Sequence, residues 1–229
     1  MLARGERVIA TSREPARLAG LGVEAMRAED VPQVPGCRVL YSMPPEGKVD
    51  LSAVAPVRVV YLSTTGVYGS AKVVDETTPV DRTSERARVR LDVEREISAG
   101  PWSTLILRPA AIYGPGRGVH VSVRQGTYPP GDNFISRIQV DDLAAHAEAA
   151  LFGDLTGAYP VADEEPCTSR EVAEFCARLQ GVDLPTGPVP APRVFGDRRV
   201  DGSAIRKLLG VTLRYPSYRV GIPAAMLAE

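Results

Sequence analysis

The hydrophobic positions of this chain fall into short, mostly continuous runs, separated by longer stretches in which apolar and polar residues alternate with helical spacing. GERVIATS (residues 5–12) is a glycine turn followed by a β-branched run and predicts a strand. Weaker runs predict strands at 22–27 and at 37–42, the latter closed by Pro44 and Pro45. Residues 57–63 carry the strongest signal, because between Val59 and Leu62 the tyrosine hydroxyl is the one polar side-chain group. Continuous apolar character suits a parallel strand covered on both faces. Fifth and sixth strands are predicted at 104–108 and 157–161. Helical periodicity predicts 83–99, capped by Thr83, with Glu85 in its first turn and stopped by Gly100 and Pro101. It also predicts an alanine-rich helix over 141–152 with an aspartate cap, and a shorter one at 203–209. Residues 168–179 open with the capping box Thr168–Glu171 and bury Val172, Phe175, Cys176 and Leu179 as a stripe. Strands alternating with helices predict an α/β protein built on a doubly wound parallel sheet.

Two connections are short for that architecture. Ten residues separate Arg27 from Arg38, and twelve run from 45 to 56, where a parallel crossover takes about a dozen or more. Each must be reduced to a turn of helix or an extended loop. Residues 116–136 are punctuated by glycine and proline without a period, and a proline-rich linker is expected at 184–193. The expected organisation is a sheet core over 1–115 and a smaller lobe from 116–136 and 165–229. Residues 137–164 return to the core.

Composition narrows the partners. A net charge of −1 gives no general attraction to nucleic acid or to an anionic membrane, and neither is expected as a partner. The longest apolar runs have strand length, short of the ~20 residues of a membrane span, and the first thirteen residues hold no leader-like apolar segment. Cys37, Cys167 and Cys176 are odd in number and lack C-x-x-C spacing, so they read as reduced, mostly buried thiols of a cytoplasmic protein. With His120 and His146 as the only histidines, a histidine-rich metal site is not expected.

Chemistry enters at two motifs. VVYLSTTGVYG (residues 59–69) is a buried strand ending in a polar turn, and RPAAIYGPG (residues 108–116) follows. Together they resemble the extended short-chain dehydrogenase/reductase family, the epimerase/dehydratase-like enzymes, over nearly the whole chain. The resemblance implies a Rossmann-like sheet, NAD or NADP as cofactor, and a small or sugar-like substrate. It places the family's catalytic hydroxyl at Thr64, which would hold the reacting oxygen over the nicotinamide. Alternatively, Thr64 satisfies backbone groups at a strand end. The family's Tyr-x-x-x-Lys, in which the lysine lowers the tyrosine pKa, falls on Arg86 and Arg90. Arginine keeps its proton, so the usual relay is absent, as in a branch of the family that lacks the tyrosine. Two like charges four apart on one helix face cost a few tenths of a kcal/mol, and their row continues into Val93 and Ile97. Cations heading a semi-buried stripe suggest an anion: a cofactor phosphate, a substrate carboxylate or an acidic side chain. The other reading is a solvated helix in which Arg90 pairs with Glu94 and Arg86 is free.

The same resemblance implies cofactor contacts. The first strand ends at Ser12 and Arg13, a cation where an acid would mark NAD, which favours NADP; otherwise Arg13 opens a surface loop with Glu14. Asp30 matches the acid that meets the adenine amino group. Ser42, Met43 and Pro44 occupy a loop that lies along the cofactor, Ser63 ends the central strand, and Pro109 belongs to the segment beneath the nicotinamide. RIQVDDL (residues 137–143) matches a later anchor with Gln139 where histidine is usual, and reads as structural.

The family's first strand and its G-x-x-G-x-x-G turn, which holds the pyrophosphate, have no counterpart in the chain. That strand would lie between the first and third visible ones. Those two must close ranks or leave backbone groups unpaired, at roughly 1–3 kcal/mol per buried group. Either the true start lies upstream of Met1, or dinucleotide binding is poor. Three functions remain: an NAD(P)-dependent oxidoreductase or epimerase with a replacement proton donor among Tyr68, Tyr113 and Tyr128; a non-catalytic dinucleotide-binding sensor; or a truncated product that neither binds nor reacts. Substrate identity and oligomeric state, a homodimer included, stay open.

Overall fold

All six expected strands form. In a computed structural model, which describes residues 1–44, 51–184 and 197–229, they are β1 (Ile9–Thr11), β2 (Glu24–Met26), β3 (Arg38–Tyr41), β4 (Arg58–Leu62), β5 (Ser103–Pro109) and β6 (Gly157–Val161). Further strands of two or three residues accompany them. β3 to β6 make one parallel sheet in the order β6-β5-β4-β3, with Tyr41 opposite Tyr61, Leu62 opposite Leu107 and Pro109 opposite Val161.

The helices are α1 (Glu85–Ser98), α2 (Val119–Arg124), α3 (Val140–Phe152), α4 (Ser169–Gln180), α5 (Ser203–Leu209) and α6 (Tyr218–Leu227). Side chains of a strand point alternately to its two faces, and β4 uses both. Val59 and Tyr61, with Ile106 of β5, pack on Val93 and Ile97 of α1. Val60, Leu105 and Leu107 pack on Leu143, Ala147, Ala150 and Leu151 of α3 and on Ile205 of α5. Helices on both faces of a parallel sheet make the fold Rossmann-like and doubly wound.

Helix ends depart from the sequence reading in detail. Thr83 donates its hydroxyl to Asp81 at 2.6 Å, and Ser84 caps α1 instead. α3 is capped by Gln139, whose side-chain oxygen accepts the Asp141 and Asp142 amides, rather than by an aspartate. Asp142 turns inward to accept the amides of Arg214 and Tyr215 at 2.8 and 2.9 Å. The capping box at Thr168 and Glu171 forms as expected. Leu179 is 45% exposed, because the buried stripe of α4 is centred on Val172, Ala173, Cys176 and Ala177 and leaves Leu179 on its flank.

α2 and α6 were not foreseen. Pro223 stands inside α6, where proline removes a backbone donor and normally ends a helix. Burial of Tyr218, Gly221, Ile222 and Ala225 holds it in place, and Tyr218 and Ile222 join a cluster with Val172, Cys176 and Tyr113. Gly221 is what lets α6 approach: a Cβ there would stand 2.0 Å from the Tyr113 hydroxyl oxygen and 2.9 Å from Cζ. Gly221→Ala is expected to lower unfolding free energy in urea by about 1–3 kcal/mol through overpacking. Tyr113→Phe in the same chain should recover part of the loss, and no recovery would mean that the clash lies elsewhere.

The first and third strands do not close ranks. β1 and β2 form a separate parallel pair, Ile9 opposite Glu24, and β3 is an edge of the larger sheet. None of residues 1–44 is buried, so edge N–H and C=O groups reach water and the penalty for buried unpaired groups does not arise. The connection between Arg27 and Arg38 holds the 3-10 turn Ala28–Asp30 and joins two different sheets, so it is not the parallel crossover expected there. The second crossover lies partly, and the linker at 184–193 almost wholly, outside the described residues. Among the described residues no helix is long and apolar enough to cross a membrane. Cys37, Cys167 and Cys176 are free thiols, the latter two buried.

Candidate functional site

Parallel strands put their carboxyl ends on one edge, where open α/β sheets bind ligands. The register sets Ser42 after β3, Ser63 and Thr64 after β4, and the Pro109 end of β5 along that edge. The chain leaves β4 through the 3-10 turn Thr65–Tyr68, and Thr64 caps it, its Oγ1 accepting the Gly66 amide at 3.1 Å. Thr64 therefore does satisfy a backbone donor. Its hydroxyl proton has no acceptor among the described residues.

α1 runs past this turn with its first two turns facing it. Thr64, Gly66, Arg86, Val89 and Arg90 line a pocket of about 300 Å³, so the three residues matched to the family's catalytic positions share one cavity. Arg90 donates from Nη1 to the Tyr61 hydroxyl at 3.2 Å, and Arg86 is exposed. Neither pairs with a carboxylate among the described residues. Glu94, the partner considered for Arg90, is engaged elsewhere. Its Oε2 and Oε1 accept from Arg108 Nη2 at 2.7 Å and Nε at 3.1 Å, and Oε1 also accepts the Ser63 hydroxyl at 2.6 Å. Arg108 Nη1 reaches the Tyr68 hydroxyl at 3.1 Å.

This buried Ser63–Glu94–Arg108–Tyr68 network was missed in the sequence. Its one signal was Glu94 beside Val93, on the part of α1 whose stripe turns inward. Ser63 thus directs its hydroxyl at Glu94, and Pro109 is buried behind it.

None of the phenols considered as proton donors lines the pocket. Tyr68 meets Arg108. Tyr113 is buried against Gly221 with its hydroxyl unpartnered. Tyr128 accepts from Arg137 at 3.3 Å and from Ser169 at 3.1 Å. Burial pushes the Tyr68 and Tyr113 hydroxyls above the ordinary phenol range, away from the value that proton exchange near neutrality requires.

The residues matched to cofactor contacts come after, or at, the carboxyl ends of their own strands and do not line this pocket. Ser12 Oγ accepts the Glu14 amide at 3.1 Å. Arg13 is exposed and has no ion pair among the described residues, because Glu14 pairs with Arg17 at 2.7 Å. Asp30 is exposed in its 3-10 turn, as are Ser42, Met43 and Pro44 beyond β3.

A dinucleotide asks for two things of such an edge: a hydroxyl for the reacting end, and a glycine turn entering a helix whose amides cradle the pyrophosphate. Thr64 meets the first. The second is not met among the described residues. β1 leads into the four-residue turn Pro15–Leu18 and β4 into the four-residue turn Thr65–Tyr68. A Cβ at Gly66 would meet only Thr64, at 3.4 Å, so that glycine is no close-approach cradle.

The chain matches no protein-family model. It is similar to a conserved protein of unknown function from Silicibacter pomeroyi DSS, with 33% identity and a TM-score of 0.82 over 99% of this chain and 91% of that one. A protein assigned to the NAD-dependent epimerase/dehydratases, from Methylobacillus flagellatus, matches at 29% identity and a TM-score of 0.64, over 78% of this chain and 67% of that one. Among curated proteins, the 3-diazoavenalumate denitrifying reductase of a Streptomyces species is 28% identical over 220 residues, 87% of this chain and 67% of the reductase. The chain spans about two thirds of the length of these last two.

Proposed function

The chain belongs to the extended short-chain dehydrogenase/reductase family, of epimerase/dehydratase-like type, and from that premise we propose that it is an NAD(P)-binding protein whose substrate pocket presents a threonine and two arginines in place of the usual tyrosine and lysine. The single observation that carries this reading is the shared cavity of Thr64, Arg86 and Arg90, with no tyrosine among its lining residues.

Thr64 acts as a hydrogen-bond donor to a substrate oxygen, while one of its oxygen lone pairs accepts from Gly66. Arg86 and Arg90 orient and neutralise, since a guanidinium holds its proton at every working pH. The cofactor, when bound, would supply hydride chemistry. Ser12, Arg13, Asp30, Ser42, Met43 and Pro44 are proposed to flank it, with a small-molecule substrate in the Thr64 pocket. Arg13, exposed and without an ion pair among the described residues, favours NADP over NAD through its 2′-phosphate. The proposed setting is the cytoplasm.

The test is calorimetric titration of NADP and NAD. Heat is the readout of choice because the indole of Trp102 lies at the opposite, amino-terminal end of β5. NADP is expected to bind about tenfold or more tighter than NAD, with Arg13→Ala abolishing the preference, the worth of a charge-assisted contact. Absence of heat with either dinucleotide at millimolar concentration would end the reading. A second reading, a sensor that binds without turnover, is favoured by the absence of a tyrosine from the residues that line the pocket among those described, the Tyr61 hydroxyl being held by Arg90. Dinucleotide binding without NADPH oxidation across a panel of small carbonyl substrates separates it from the first.

A further inference from the structure

We infer that the Thr64 pocket is an oxyanion site, in which Arg86 and Arg90 grip a carboxylate or phosphate group of the ligand while Thr64 donates to the same group; this rests on the reading of that pocket given above. The argument is one of donors without acceptors. Every free polar group that lines the cavity donates: the Thr64 hydroxyl proton, the Arg86 guanidinium, and the N–H groups of Arg90 not spent on Tyr61. The Gly66 amide is already bonded to Thr64. Among the described residues no carboxylate lines the cavity, and Glu94, one turn on from Arg90, is held by Arg108 and Ser63 on the buried side.

Two guanidiniums four residues apart on a helix repel each other, and the fold neutralises neither among its described residues. Of the three anions the sequence left open, an acidic side chain is not supplied by the described residues, and the other two are groups of a ligand. The fork of an arginine matches planar or tetrahedral oxyanions in a bidentate way that a single lysine would not. Val89, 41% exposed, adds an apolar wall between the two cations, suited to the carbon skeleton behind the charged group.

Benzoate, benzamide and inorganic phosphate are the probes, followed by NMR line positions or calorimetry on the full chain. Benzoate or phosphate is expected to bind, and benzamide, equal in shape to benzoate and neutral, to bind at least about tenfold more weakly. Arg86→Gln with Arg90→Gln should weaken the anion by about tenfold or more, while Arg86→Lys retains part of the affinity. Thermal melting of each variant controls for folding. NADP titration of the same double variant identifies the source. Unchanged NADP affinity with lost benzoate assigns the site to a substrate carboxylate. Parallel loss of both assigns it to a phosphate of the cofactor. Equal binding of benzamide and benzoate, or an undiminished anion affinity in the double variant, overturns the inference. Neither result depends on whether a dinucleotide binds the wild-type chain, so the two readings fail separately.

Discussion

Asp163→Asn is expected to stabilise the folded chain above pH 8 and to leave it nearly unchanged near pH 4. Asp163 follows β6 and is 2% exposed. Its carboxylate oxygens find no close hydrogen-bond donor. Burial pushes its pKa up to about 8, against the opposing pulls of the Arg137 guanidinium and the Glu165 backbone amide. An unfolded aspartate releases its proton near 3.8, so between those two values the folded state holds a proton that the unfolded state has lost. Stability from this group is therefore fully present below the unfolded value and is lost as pH rises toward the folded one. Over an interval of about four pH units, at ~1.4 kcal/mol each, the term amounts to several kcal/mol. Asparagine carries no such term. Urea unfolding at pH 5, 7 and 9 should show the variant gaining on the parent at each step. Parallel curves would mean that the carboxylate is solvated or paired after all.

The second large effect is a loss. Glu94→Gln should destabilise the chain by about 3–5 kcal/mol, because it leaves the Arg108 guanidinium buried without its counter-charge. Both partners are nearly inaccessible, with side-chain exposures of 10% for Arg108 and 6% for Glu94. For a chain of this size the loss corresponds to a melting temperature roughly 6–20 °C lower. Glu94→Leu combined with Arg108→Met should recover most of it, since replacing a buried pair whole is often neutral. A single variant melting within about 2 °C of the parent would show that water reaches the pair. The same network fixes Ser63 beside Thr64, so the single variant should also disturb the pocket's first wall.

The fold was legible because its signal is one of period. Uninterrupted apolar runs at Val59–Leu62 and Leu105–Leu107, short and bounded by turn residues, suit strands with two covered faces, and the Thr168–Glu171 box marks its helix start. α6 was not legible, because Pro223 argues locally against a helix and only the contacts of Tyr218 and Ile222 with distant residues outweigh it. The caps at Ser84 and Gln139 were hidden for a related reason: neighbouring side chains that could have capped were drawn elsewhere, Thr83 to Asp81 and Asp142 to the amides of Arg214 and Tyr215. At the pocket, motif spacing sufficed to bring Thr64, Arg86 and Arg90 together. It could not decide between Glu94 and solvent as the partner of Arg90, since a carboxylate four residues on is equally placed to turn inward, and Arg108 sits where only the closed sheet brings it near.

The split between β1–β2 and the main sheet sorts the chain by rigidity. The residues that reach the pocket from β4 stand on a fully packed strand, whereas Ser12, Arg13 and Asp30 belong to a stretch in which no residue is buried. Such a stretch opens at little cost while the remainder stays shut. A ligand that engaged both Thr64 and Arg13, as proposed above, would meet a packed strand end at one and a loosely held turn at the other. Part of its affinity would be spent on setting that turn in place.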